Sequence, residues 1–159
     1  VEDSIVDGPG LRFVVFVQGC PHHCEGCHNP KSHDPNGGYL SDTDTVFEKI
    51  RKNPILDGVT FSGGEPFLQA KPLTELAKKA HAIGLDTLCY TGYLFEELLS
   101  GANAENGWME FLENLDILVD GRFVLAQRSI DLQFCGSKNQ RIIDVPKSLA
   151  EKEVVLWNP

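Results

Sequence analysis

The chain has 159 residues, of which 42% are hydrophobic, and this size and composition fit one folded domain with a substantial core. Its 14 Lys and Arg are outnumbered by 23 Asp and Glu, and the net charge of −9 argues against a protein that binds the phosphate backbone of a nucleic acid. Apolar runs fall well short of the roughly 20 residues that span a membrane, and five cysteines without a visible export signal predict a reducing, cytoplasmic setting.

The predicted elements alternate between strand and helix. In chain order they are a strand at Leu11 to Val17, a helix from Ser41 or Asp42 to about Lys52, a strand at Val59 to Ser62, a helix from Lys71 to Ile83, a strand at Asp86 to Tyr90, helices at Tyr93 to Leu99 and Trp108 to Leu115, a strand at Ile117 to Asp120, and extended segments at Leu132 to Cys135, Ile142 to Val145 and Val154 to Trp157. The strands are short apolar runs with β-branched residues, which is typical of strands buried on both faces of a sheet.

This alternation predicts an α/β fold with a parallel sheet and helices on the outside. A complete eight-unit barrel takes about 250 residues, so we expect one domain over residues 1–159 that forms part of a (β/α) barrel. Polar or glycine-rich loops follow the predicted strands at Gln18, Ser62, Tyr90 and Asp120. Because parallel strands end at one edge of a sheet, we expect the functional site at that edge.

Three cysteines lie directly after the first predicted strand. Cys20, Cys24 and Cys27 have the spacing C-x3-C-x2-C, and three thiols always leave one over in a disulfide pairing. Thiolates are soft ligands that select iron–sulfur clusters, zinc or copper(I). Three of them leave one position of a four-coordinate centre open, which favours a reactive centre over a purely structural one.

Several kinds of metal centre are compatible with this loop. A structural zinc site would take a nearby histidine as its fourth ligand, and a ferredoxin-type electron carrier would take Cys89 or Cys135. The segment Cys24 to His28 also matches the signature of covalent haem attachment, but Cys20 would then be unexplained and Met109 is the sole methionine. The fourth candidate is a 4Fe–4S cluster held by three protein thiolates, with one iron open to a substrate.

A second motif, Gly63-Gly64-Glu65, follows the strand that ends at Ser62. Together with C-x3-C-x2-C it resembles the radical S-adenosylmethionine enzymes. The resemblance implies a partial barrel of the radical S-adenosylmethionine type, in which Cys20, Cys24 and Cys27 hold a 4Fe–4S cluster. It also implies that the open iron binds S-adenosylmethionine and that reductive cleavage yields a 5′-deoxyadenosyl radical.

The same resemblance suggests which residues contact S-adenosylmethionine. We call the cysteine-bearing segment from Gln18 to His33 the cluster loop. The suggested contacts are Gly26, Cys27 and His28 in this loop, Gly63, Gly64 and Glu65 at the amino acid end of the cofactor, and Asp120 and Asn139 as further contacts. For His28 a hydrogen bond within the loop, and for Asp120, Asn139 and Arg141 a helix cap or an ion pair, are alternative roles. Arg12 is a candidate for neutralising the cluster or the cofactor's carboxylate, and Cys89 is expected to be a buried thiol.

Further motifs resemble a narrower family, the activases that install a glycyl radical on a partner enzyme. These motifs are Asp7-Gly8-Pro9-Gly10, Cys20 through Asn29, Thr91-Gly92-Tyr93, Leu118-Val119-Asp120-Gly121, and Gly136-Ser137 with Asn139-Gln140-Arg141. Within that family the chain most resembles the activating proteins of anaerobic ribonucleoside-triphosphate reductase. The rival group, the activating enzymes of pyruvate formate-lyase, shares His28-Asn29-Pro30 but is longer and carries an aromatic residue in place of Gly26.

The resemblance also implies partners. They are the glycyl-radical subunit of anaerobic ribonucleoside-triphosphate reductase and a one-electron donor such as flavodoxin. From the net charge and the short apolar runs we expect no nucleic-acid or membrane partner.

Overall fold

A computed structural model describes residues 2–22, 42–129 and 131–158. Within these residues, one sheet contains five strands in the order of the chain. They are β1 (Arg12–Val17), β2 (Gly58–Gly63), β3 (Asp86–Tyr90), β4 (Ile117–Asp120) and β5 (Arg141–Asp144). The first four are parallel, with Arg12 opposite Gly58 and Gly58 opposite Asp86, and the predicted α/β class with a largely parallel sheet is confirmed.

The end of the sheet differs from the prediction. Residues 132–134 are bends rather than a strand, and the fifth strand is β5, which runs antiparallel to β4. A parallel return would require a crossover element packed on the sheet, whereas the connection between β4 and β5 contains a single short 3₁₀ turn, Leu125–Gln127, among its described residues. The predicted extended segment near Val154 is present, because Leu156 bridges Ile143 of β5.

Five helices accompany the strands in the described part of the chain. They are α1 (Thr43–Arg51), α2 (Ala70–Ala82), α3 (Phe95–Gly101), α4 (Trp108–Glu113) and α5 (Val145–Glu151). Asp42 caps α1 by accepting a hydrogen bond from the Thr45 backbone at 2.7 Å, as predicted. Gly84, with φ +83°, follows the end of α2. Among the described residues, no helix has the length and apolar character needed to cross a membrane.

The prediction missed α5 and read its first residue, Val145, as extended. The signals for this helix are local: Pro146 lies in its first turn and Asp144 accepts a hydrogen bond from the Lys147 backbone at 3.0 Å.

The two faces of the sheet have different surroundings. On one face, side chains such as Phe61, Cys89 and Leu118 pack with buried residues from all five helices in the main core. On the other face, Leu88, Ile117 and Val119 form a smaller cluster with residues from strand ends and loops. We call this second side of the sheet the inner face, and it leads to the cavity described next.

Candidate functional site

A cavity of about 450 Å³ lies where the parallel strands end. Its lining comes from the loops after all four parallel strands and includes Cys20, Gly63, Gly64, Thr91 and Gly121. Its volume falls within the roughly 300–1,000 Å³ of small-molecule sites. The predicted location of the site at the carboxyl edge of the sheet is therefore matched by a cavity that brings the glycine motif together with Cys20, the first predicted cluster ligand.

The glycine turn is tied to the start of the cluster loop by two backbone hydrogen bonds. Gly64 donates to the Val17 carbonyl at 2.8 Å, and Glu65 donates to the Gly19 carbonyl at 2.7 Å. Gly63 has φ +93°, and a Cβ there would lie 2.6 Å from the Val17 nitrogen. Glycine is required at this position because the two chain segments touch there through their backbones.

Glu65 is completely buried and lies at the centre of a hydrogen-bond network. Its carboxylate accepts from the Thr91 hydroxyl at 2.9 Å, from the Gly92 backbone at 2.8 Å and from the Phe67 backbone at 3.0 Å. The Nε2 atom of His22 lies 2.8 Å from the same carboxylate. Glu65 thus joins the glycine turn to the loop after β3 and to the cluster loop, while its contact with a cofactor stays a prediction.

His22 was not predicted as a site residue. The sequence places His22, His23, His28 and His33 beside the three cysteines, and nothing in their spacing distinguishes His22. In the structure its Nδ1 atom accepts a hydrogen bond from Arg122 at 3.2 Å, and its ring packs edge-on against Tyr93 with 4.6 Å between centroids. Its contact with Glu65 depends on the tertiary fold, so periodicity and spacing carried no signal for it.

Asp120 is buried and holds two elements together. Arg141 donates to its carboxylate at 3.0 Å and 2.5 Å, and the Phe95 backbone at the start of α3 donates at 2.8 Å. The hydrogen bond to Asp120 is also the main cause of the raised pKa of Arg141. The ion pair and helix cap considered for Asp120 and Arg141 are thus present in the structure, and a cofactor contact by Asp120 stays a prediction.

The motif around Asn139 fastens one wall of the cavity. Asn139 donates to the Arg122 carbonyl at 2.9 Å and accepts from the Ser137 hydroxyl at 2.6 Å. Gln140 donates to the Gly121 carbonyl at 3.0 Å and accepts from the Gly136 backbone at 2.8 Å. These bonds attach the segment before β5 to the turn after β4, and a direct contact of Asn139 with a cofactor stays a prediction.

The predicted cluster ligands are only partly visible. Cys20 lines the cavity, whereas Cys24, Cys27, Gly26 and His28 lie outside the described residues. Among residues 2–22, 42–129 and 131–158, no three His, Cys, Asp or Glu side chains lie close enough together to hold a metal ion.

The two cysteines outside the cluster loop differ in their surroundings. Cys89 is fully buried, as predicted, and burial raises the pKa of its thiol well above the ordinary value. Cys135 is half-buried and lines the cavity, and burial is again the main cause of its raised thiol pKa.

Arg12 has a different role from the one suggested by its position in the sequence. It is fully buried and donates to Thr60 at 2.6 Å, to the Pro9 carbonyl at 2.9 Å and to Asp86 at 2.5 Å. These partners lie toward the amino ends of the strands, on the side away from the cluster loop. Arg12 attaches the Asp7-Gly8-Pro9-Gly10 turn to the sheet, and the idea that it neutralises the cluster or the cofactor's carboxylate is not supported.

Comparisons with known proteins agree with this arrangement. A family model described as a 4Fe-4S single cluster domain matches residues 6–143. The fold and the match therefore define an α/β protein of the single-cluster 4Fe–4S class.

Individual relatives indicate which family within that class the chain belongs to. The anaerobic ribonucleoside-triphosphate reductase-activating protein of Haemophilus influenzae is 34% identical, over 87% of this chain and 91% of its own length. Its counterpart in Escherichia coli K12 is 33% identical, over 86% and 90%. The pyruvate formate-lyase-activating enzyme of Listeria monocytogenes is 34% identical over 96% of this chain, which spans 62% of that relative. The chain belongs to the family of anaerobic ribonucleoside-triphosphate reductase-activating proteins, as its motifs predicted.

Proposed function

We propose that this chain reductively cleaves S-adenosylmethionine at a 4Fe–4S cluster and thereby generates a glycyl radical on anaerobic ribonucleoside-triphosphate reductase. The observation that carries the proposal is the joint wall of the cavity, where Cys20 and the Gly63-Gly64 turn are held together by backbone hydrogen bonds. A cluster ligand and a cofactor-binding turn would thus face one small-molecule site.

The residues fit such a cluster. Cys20 lies in the wall of the cavity, and Cys24 and Cys27 follow it within one short loop that can bring three thiolates together. When bound, the cluster supplies one electron to the sulfonium of S-adenosylmethionine, which then yields methionine and a 5′-deoxyadenosyl radical that takes a hydrogen atom from the partner's glycine.

The residues around the cavity would bind and shield the cofactor. Gly63 and Gly64 present backbone atoms without side chains, so a ligand can approach them closely. Gly26, Cys27 and His28 would contact the cofactor from the cluster loop. Glu65 would fix the conformation of the Gly63-Gly64 turn through its hydrogen bonds to the Gly92 and Phe67 backbone amides. Asp120 and Asn139 are assigned further contacts; Asp120 fixes the start of α3, and Asn139 fixes the turn after β4.

We infer that the sheet forms part of a barrel, an inference that its four parallel strands support. All five described helices contribute to the core on one face, whereas Phe16 on the inner face remains 47% exposed. Most inner-face side chains are buried, so the exposed edge at Phe16 is where the site would admit a loop of the reductase that carries the glycine. We assign the whole of residues 1–159 to one such domain.

The remaining partners follow from the chemistry. A one-electron donor such as flavodoxin would reduce the cluster, and we assign the protein to a reducing, cytoplasmic setting, in which cysteine thiols stay reduced. The excess of acidic residues argues against nucleic acid as a partner, and we assign no membrane partner.

A second candidate partner is pyruvate formate-lyase, which is favoured by the 34% identity to the Listeria monocytogenes activating enzyme. The two partners can be separated directly. Anaerobically reconstituted protein should produce 5′-deoxyadenosine from S-adenosylmethionine under reduction. It should produce the paramagnetic signal of a glycyl radical on the reductase and not on pyruvate formate-lyase.

Two cysteine variants complete this test. Cys24→Ala should abolish 5′-deoxyadenosine formation, because it removes a cluster ligand. Cys135→Ala should retain it, because a cluster with three protein thiolates does not use Cys135. Loss of the cluster in Cys135→Ala would instead indicate a ferredoxin-type centre ligated by four cysteines. A colourless, zinc-loaded protein would contradict both kinds of iron–sulfur centre.

A further inference from the structure

The motif Thr91-Gly92-Tyr93, which the proposed chemistry leaves without a role, surrounds His22. Thr91 and Gly92 donate hydrogen bonds to Glu65, the same carboxylate that His22 contacts. The ring of Tyr93 packs against the edge of the His22 ring. The loop after β3 is therefore shaped around a histidine that lies two residues after a cluster cysteine.

Gly92 provides the space for this ring. A Cβ at Gly92 would lie 2.6 Å from Nε2 and 2.8 Å from Cγ of His22, too close for a real contact. The three nearest atoms to that position all belong to His22. Gly92 is therefore needed because His22 is present, and an alanine there would displace the ring without altering its chemistry.

The hydrogen bonds also determine the tautomer of the ring. Nδ1 accepts a hydrogen bond from Arg122, so the proton lies on Nε2, where it can be donated to the buried Glu65 carboxylate. Both ring nitrogens thus bind protein groups on two different loops. A histidine engaged on both sides is held in one orientation.

We propose that His22 is a positioning residue that, through Glu65, holds the Cys20 side of the cluster loop against the Gly63-Gly64 turn. It thereby sets the distance between the cluster and the bound S-adenosylmethionine. This inference rests on the proposed function, and it assigns roles to His22, Arg122 and the Thr91-Gly92-Tyr93 motif. His22 acts through the backbone of its loop and need not touch the cofactor.

A double-mutant cycle tests the inference. His22→Ala should weaken the binding of S-adenosylmethionine by about 10-fold, the lower end of the loss seen when outer residues that orient a metal site are removed. It should also reduce the change that the cofactor produces in the paramagnetic resonance spectrum of the reduced cluster. Gly92→Ala should do the same by displacing the ring, and adding Gly92→Ala to His22→Ala should cause no further loss.

Two further variants control for general damage. His22→Gln retains an N–H donor for Glu65 and should recover part of the affinity. His81 offers a matched histidine, because its Nε2 lies 2.9 Å from the Asp116 carboxylate at a site remote from the cavity. His81→Ala should therefore bind the cofactor as the unmodified protein does.

The tautomer of His22 can be measured in the iron-free protein, so this test does not depend on the cluster. Nitrogen-15 resonance of labelled histidine should show the Nε2–H tautomer for His22, and Gly92→Ala should abolish that pattern.

The outcomes separate this inference from the proposed function. If the cluster spectrum of the unmodified protein does not respond to S-adenosylmethionine, the proposed function is wrong whatever His22 does. If that spectrum responds but His22→Ala or Gly92→Ala binds the cofactor equally well, the positioning role is wrong. Additive losses in the double variant would also overturn it. Should His22→Ala fail to retain iron, Gly92→Ala and His22→Gln decide the matter by the same criteria.

Discussion

At the scale of single residues, Glu65 shows how a buried charge can organise a site. The side chain has no exposed surface, and its two oxygens accept hydrogen bonds from a histidine, a hydroxyl and two backbone amides. A buried carboxylate is tolerated when such donors surround it. If an acceptor oxygen of Glu65 is removed, the donors that bound it stay buried without a partner, and this lowers the stability of the fold.

The variant Glu65→Gln tests this network. Its amide group replaces one acceptor oxygen by a donor, which would face Gly92 or Phe67 and leave a backbone N–H unpaired. We expect the free energy of unfolding to fall by about 2 kcal/mol. Urea titration of the iron-free protein measures this value, with the exposed Glu113→Gln as the matched control that should leave the midpoint unchanged. Equal midpoints for the two variants would contradict the assignment.

Because the Cys89 thiol is buried, we expect the free energy of unfolding to depend on pH in the alkaline range. Burial, with a smaller contribution from the charge of Glu65, raises the pKa of this thiol in the folded protein. The unfolded thiol, with a pKa of about 8.5, loses its proton first. The free energy of unfolding should therefore be undiminished below that pH and decrease as pH rises toward the folded pKa. Urea titrations over this range should show a shallower decrease for Cys89→Ala, and an identical slope would exclude the thiol as its source.

At the scale of elements, the parallel strands and the extended segment that forms β5 were predictable, but the antiparallel pairing of β5 was not. The runs ending at Val17, Ser62, Tyr90 and Asp120 are apolar and β-branched, which is a local signal. Because parallel strands share an edge, the meeting of Cys20 with the glycine turn also followed from sequence. The antiparallel pairing of β5 includes the Arg141–Asp120 ion pair, and the site histidine contacts Glu65. Both are contacts between distant residues that no local pattern encodes.

The Arg141 side chain is expected to stabilise the antiparallel pairing of β5 with β4. It pairs β5 with Asp120 at the end of β4 and also contacts Glu96 of α3 at 2.6 Å. Arg141→Ala would leave the buried Asp120 carboxylate without its cation, and we expect a loss of about 3 kcal/mol in the free energy of unfolding. Arg51→Ala removes a comparable pair with Glu48 on the surface of α1 and should leave the denaturation midpoint unchanged. Similar effects of the two variants would contradict the prediction.

At the scale of the whole molecule, the sheet has one face covered by helices and one that leads to the cavity. Phe16 lies on the inner face, opposite Ser62 in the register of β1 and β2, and Ser62 lines the cavity. Because β1 is an edge strand, this aromatic side chain stands at the margin of the proposed opening. An exposed aromatic residue in that position is suited to contact an entering protein loop.

Phe16→Ser should separate the two halves of the proposed activity. Cleavage of S-adenosylmethionine under reduction should be unchanged, since the cofactor site uses other residues. The yield of glycyl radical at limiting reductase should fall by about 10-fold, which corresponds to roughly 1.4 kcal/mol of lost contact with the partner. Ile55→Ser, which replaces another exposed apolar side chain before β2, is the matched control and should change neither quantity. If Phe16→Ser activates the reductase as well as Ile55→Ser does, the partner loop enters by another route than the β1 edge of the inner face.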